Sequence, residues 1–153
     1  FIRGTGDVTL SAGEELDIHG DLLGAAAIVL SGDEVDLHHG GKIESATSLT
    51  VVATGKKGIK WHASADGVGD VFVQTTSLDL HKGADINASG DVTIAVSGHF
   101  DADGRVRFNG AVSMTAGTYK LSKSHDFRYN ASCVLTGTAK NGSKSAKGCS
   151  ENP

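Results

Sequence analysis

Four histidines and three aspartates recur at matched places in this chain: His19, His38, His62 and His81, and Asp17, Asp36 and Asp79. Three of the histidines follow an aspartate by two residues, and Lys60 takes that place before His62. On a β-strand, residues two apart share one face. If equivalent strands stack, the two sets form parallel ladders with imidazoles roughly 4.8 Å apart beside carboxylates. Such a surface has the donor types that hold a divalent transition metal, and its rings would titrate as a coupled set. The plainer alternative is an ordinary polar face on which Asp offsets His charge. On that reading the ladder binds no metal, and no cofactor is expected.

Two other groups could do chemistry. Cys133 and Cys149 are the only cysteines and have 15 residues between them. A lone pair in a repeat protein of extracellular appearance is most simply a disulfide, and closing a loop of that size stabilises by about 3 kcal/mol in the chain-entropy account. No further Cys or His has the spacing to complete a zinc site with them. Acid/base catalysis on a polysaccharide would draw on Asp17, Asp36 and Asp79, or on Asp101 and Asp103 with Arg105 and Arg107. It requires carboxyl groups in contrasting environments. One aspartate repeated at each rung is instead the repeat's own chemistry, and no long loops are available to wall a cleft, so a non-enzyme is expected.

These residues are positioned by a repeat. In Val71 to Gly90, three short apolar anchors with mostly alternating polar neighbours are separated by Gly, Asp, Asn and Ser, which reads as three half-buried strands joined by turns. First anchors recur at Val8, Ile28, Leu49, Val71, Val92 and Val112, in steps of 20, 21, 22, 21 and 20 residues. Second anchors follow at Leu16, Val35, Ile59, Leu78, Phe100 and Tyr119; third anchors follow at Leu22, Ile43, Ala65 (or Val68), Ile86, Val106 and Phe127. One unit cannot bury its own apolar side, so copies must stack into a solenoid. With 21 Gly, one Pro and no helical periodicity, the class is all-β: a single-stranded, right-handed parallel β-helix of about six coils, with handedness taken from the general preference of parallel crossovers, plus a disulfide-closed loop. The coils are expected over residues 1–132 and the closed loop over 133–153. Ile2 falls at a third-anchor position, so the chain begins mid-coil and a piece of a longer rod is expected. The segment between Val51 and Ile59 is longer than its equivalents, so Lys56 and Lys57 are expected to project from the shaft.

Charge narrows the partners. Residues 1–117 carry 8 basic and 16 acidic side chains, whereas residues 118–153 carry 6 and 2. An acidic shaft argues against nucleic acid, and the basic end is either a solvated tail or a contact for an acidic partner.

The stretches GDVTLSAGEELDIHGDLLG, SLDLHKGADINASGDVTI and GGKIESATSLTVVA resemble the haemagglutinin-type repeats of bacterial two-partner-secretion exoproteins, the filamentous-haemagglutinin-like large adhesins, over roughly residues 1–129. The pair Cys133 and Cys149 is similar to the C-terminal cysteine hook of adhesins that stay tethered in their outer-membrane transporter. The resemblance implies a non-catalytic stalk at the cell surface or secreted, a two-partner-secretion transporter as partner, and a disulfide loop retained on the periplasmic side. A second expectation is a module whose outward ladders, including Thr9, Thr50, Thr93 and Ser113, meet an extracellular polysaccharide or host surface glycan.

Overall fold

The computed structural model describes residues 1–129, 131–145 and 149–152. Among these it is all strand and turn, with sixteen strands numbered β1 to β16 in chain order. Seven form one sheet: β1 (Ile2–Gly4), β4 (Leu22–Gly24), β6 (Lys42–Ser45), β8 (Ser64–Val68), β10 (Asp85–Ala88), β12 (Arg105–Phe108) and β14 (Asp126–Tyr129). The other sheet holds β2 (Val8–Ser11), β3 (Glu15–Ile18), β5 (Ala27–Leu37), β7 (Ser48–Trp61), β9 (Asp70–Leu80), β11 (Val92–Ala102), β13 (Ala111–Leu121), β15 (Ser132–Ala139) and β16 (Ser150–Asn152). Each strand pairs in parallel with the equivalent strand about one repeat away, which is a β-solenoid of about six turns.

The pairing register reproduces the anchor columns. Val8, Ile28, Leu49, Val71, Val92, Val112 and Cys133 are consecutive partners. So are Leu16, Val35, Ile59, Leu78, Phe100 and Tyr119. The third column runs Ile2, Leu22, Ile43, Ala65, Ile86, Val106 and Phe127. Ala65 therefore holds the anchor place, while Val68 pairs with Ala88 beyond a register shift. A further inward column runs Ile18, Leu37, Trp61, Leu80, Ala102 and Leu121. Trp61 is fully buried in it, and its indole N–H donates to the Ala63 carbonyl at 3.2 Å, as a buried indole requires.

Two features differ from a triangle of three separate strands. In coils two to six the first and second anchors lie on one long strand (β5, β7, β9, β11, β13), bent where the register shifts, for example between Gly32 and Glu34 or between Val96 and His99. Only the first coil splits them into β2 and β3. The boundary expected after residue 132 falls inside β15, so the stacked core continues through Cys133 and Leu135, both buried.

The long segment in coil three is an outward fold of the β7 corner, where residues 54–58 stand against only residues 76–77 of the next coil. Gly58 closes it at φ +74°, and a Cβ there would lie 2.0 Å from the Ser77 carbonyl oxygen, so glycine is required. Lys57 reaches out and turns back: its Nζ lies 2.7 Å from Glu34 Oε2, and Lys60 Nζ lies 2.7 Å from Glu34 Oε1. Glu34 is buried, and these two ammonium groups, Lys57 foremost, hold its carboxyl below the ordinary value.

Candidate functional site: the histidine and aspartate ladder and the terminal disulfide

Both ladders form. Asp17, Asp36, Lys60 and Asp79 are successive partners on β3, β5, β7 and β9, and the column continues to Asp101 and Lys120. The histidines stand two residues on, where the chain leaves each strand, held by backbone bonds such as His38 N–H to the Ile18 carbonyl and His62 N–H to the Leu37 carbonyl.

The rings do not form one even stack. His19 and His38 stack at 3.8 Å between centroids and 16° between planes, and His62 and His81 at 3.6 Å and 20°. Between the two pairs stands His39, which the pattern of anchors did not select. Its Nε2 lies 2.9 Å from His62 Nδ1, with the rings tilted by 58°. His62 is half-buried; that burial, and then the neighbouring imidazoles of His81 and His39, push its pKa down.

The carboxylates divide in the same way. Asp17 bridges the first pair, with Oδ2 3.0 Å from His19 Nε2 and Oδ1 2.8 Å from His38 Nε2. Asp79 Oδ2 lies 3.0 Å from His81 Nε2. Burial raises the Asp79 carboxyl pKa, opposed by His81 and reinforced by Asp101. Asp36, expected to face solvent, is instead buried at 8% exposure. Lys60 lies 3.8 Å from its Oδ2 and His38 3.6 Å from its Oδ1, and Oδ1 has no hydrogen-bond partner among the described residues.

Asp79 and Asp101 are neighbours in the column, but the arginines named with Asp101 and Asp103 do not pair with them. Arg107 reaches Asp85 at 3.6 Å rather than Asp101 or Asp103, and Asp103 accepts from Ser124 Oγ at 3.3 Å. Asp101 lies on β11 and Arg105 and Arg107 on β12, in different sheets.

The cysteines are joined. Cys133 and Cys149 form a disulfide with Cα atoms 4.6 Å apart, close to the spacing of neighbouring strands. The reason is register: β16 pairs in parallel with β15, Val134 opposite Ser150. Cys149 therefore stands directly over Cys133, as the next rung of the first-anchor column. The last turn closes in 16 residues rather than 20 to 22.

A recurring device outside the anchor columns has a plain signal in the sequence, Gly-Asp-Val at residues 6–8, 69–71 and 90–92. Asp7, Asp70 and Asp91 each accept a hydrogen bond from a backbone N–H of the following coil: Ala27 at 3.0 Å, Asp91 at 2.9 Å and Ala111 at 2.7 Å. Asp21 does the same for Lys42. These bonds lock one coil onto the next at corners where the chain passes between the sheets, Asp21 at a different corner from the other three.

No protein-family model matches the chain, and no curated protein or solved structure matches it either. Its function must be read from its own residues. Among the described residues no helix is long and apolar enough to cross a membrane.

Proposed function

We propose that the chain is a stalk and anchor segment of a bacterial surface adhesin exported by two-partner secretion, non-catalytic, with its disulfide loop held at the inner side of an outer-membrane transporter. The observation that carries this reading is the covalent closure of the last turn of a rod whose other turns are closed only by hydrogen bonds and packing. Coils that contact only their neighbours can cross a pore as extended chain and fold one after another outside. The ring from Cys133 to Cys149 cannot be drawn out straight, so it stops passage at one end while the folded rod stops it at the other. The ladder fits a stalk because Asp17 and Asp79 are occupied by neighbouring imidazoles.

The test is retention at the cell surface. With the adhesin expressed beside its transporter, Cys149→Ser should move it from the cell-bound fraction into the medium. Equal retention of the variant and the parent would reject the anchor. A second reading, a polysaccharide-binding face, is favoured by a shallow groove of about 390 Å³ over β7, β9, β11 and β13, lined by Val52, Gln74, Ala95 and Thr115 among others. Binding on a glycan array that is lost in Gln74→Ala would support that reading, and an array without signal would remove it.

A further inference from the structure

We propose that Asp17, His19 and His38 form a binding site for one divalent transition-metal ion, of the zinc, nickel or copper class, that staples the first described coil to the second.

The donors converge. One ligand atom from each of the three residues can be chosen so that all lie within 4.8 Å of one another. The contacts from Asp17 to the two Nε2 atoms, 3.0 and 2.8 Å, are close to the roughly 3.0–3.4 Å that separates two ligands each about 2.1 Å from a zinc ion. With each ring in its Nδ1–H tautomer, both Nε2 lone pairs are available on the side of the carboxylate. The rings must splay from their 16° stack to aim at a common point. His19 is exposed and His38 half-exposed, so that rotation about the broad χ2 torsion meets little resistance. Two imidazoles and one carboxylate with open positions suit zinc, nickel and copper over calcium or magnesium.

A second observation points to the same place. The Asp36 side chain is only 12% exposed, and its Oδ1, without a hydrogen-bond partner among the described residues, lies 3.6 Å from His38 Nε2. An orphaned carboxylate oxygen at that depth costs stability. A cation held between His38 and Asp17 places positive charge beside it.

The location also gives the ion something to do. In the first coil β2 and β3 are separate four-residue strands, and Leu10, Leu16 and Ile18 are only partly buried. An ion joining β3 and the residue after it to the residue after β5 adds a link between the two coils beside the short β3. The remaining histidines do not offer the same set. His39, His62 and His81 are linked ring to ring, and Asp79 touches only His81 among them.

The test uses the untagged chain, with zinc, nickel and cobalt chlorides as probes. Calorimetric titration should show one equivalent of zinc bound, cobalt should give the visible bands of a nitrogen and oxygen site, and the thermal midpoint should rise with added zinc. Asp17→Asn and His38→Ala should each weaken binding by more than the roughly 10- to 100-fold that outer-shell changes cost and abolish the thermal shift. His81→Ala should leave both intact, and circular dichroism without metal verifies that each variant is folded. No binding or thermal shift at millimolar zinc overturns the proposal. So does binding that survives in folded His38→Ala, or that disappears in folded His81→Ala, because either places the ion elsewhere on the ladder.

Discussion

Two phenylalanines 28 residues apart separate the inside of this rod from its outside. Phe100 is fully buried in the second-anchor column between Leu78 and Tyr119, while Phe72 is 39% exposed on the outer face between Thr50 and Thr93. Phe100→Ala loses the transfer free energy of a buried ring and leaves a cavity, together about 3–5 kcal/mol. The upper half of that range is expected, because the ladder bonds hold neighbouring rungs about 4.8 Å apart and prevent collapse into the space. For a chain of this size, roughly 2–4 °C of midpoint per kcal/mol gives a fall of about 8–20 °C. Phe72→Ala touches no core and should cost under about 1 kcal/mol. Both are measured by urea unfolding followed by circular dichroism, with thermal scans alongside. Equal losses in the two variants, or a loss below about 1 kcal/mol for Phe100→Ala, would refute the inward and outward assignment of every column, since all share one register.

Other outcomes follow from individual contacts. Cys149→Ser should lose about 3 kcal/mol, with the loss of hydrogen-exchange protection concentrated on β15 and β16. Gly58→Ala forces a side chain into left-handed backbone against the Ser77 carbonyl and should lower stability by about 1–3 kcal/mol, read from the urea midpoint. Asp91→Ala removes the acceptor for Ala111 N–H and should cost about 1 kcal/mol, seen as faster amide exchange at Ala111. Because Lys57 and Lys60 lower the Glu34 pKa, the carboxylate's contribution is complete above the unfolded value near 4.5 and is lost as pH falls through the lower folded value. The stability gap between the parent and Glu34→Gln should therefore be constant near neutrality and close progressively below about pH 4.5; a gap that widens on acidification would contradict the sign.

The anchor columns could be read from the sequence because each is a local statement: Val71 with Val73, or Leu78 with Leu80, alternates in and out whatever lies above or below. Ala65 against Val68 could not be decided locally, since a register shift opposite Asn87 and Ala88 depends on the neighbouring coil. The same holds for the merging of first and second anchors, because a bend that keeps its ladder bonds and a turn that breaks them have similar residues. Asp36 reads as a solvent-facing partner of Asp17 and Asp79, yet it is buried, because Lys60 in the next coil and His38 lie over it. His39 stands one place out of the column in the sequence, and only the ring geometry shows that it joins His62 rather than His38. Lys57 illustrates the same limit: an insertion predicts a projecting loop, but its return to a carboxylate one coil below is visible only in three dimensions.

The corner aspartates all point the same way in time. Asp7, Asp21, Asp70 and Asp91 each sit on the earlier coil and await an N–H from the later one. In a chain that folds N-terminus first, each of these four acceptors is therefore in place before its donor arrives. At those corners, withdrawing the later turn means breaking the bond that it has just completed with the turn before it.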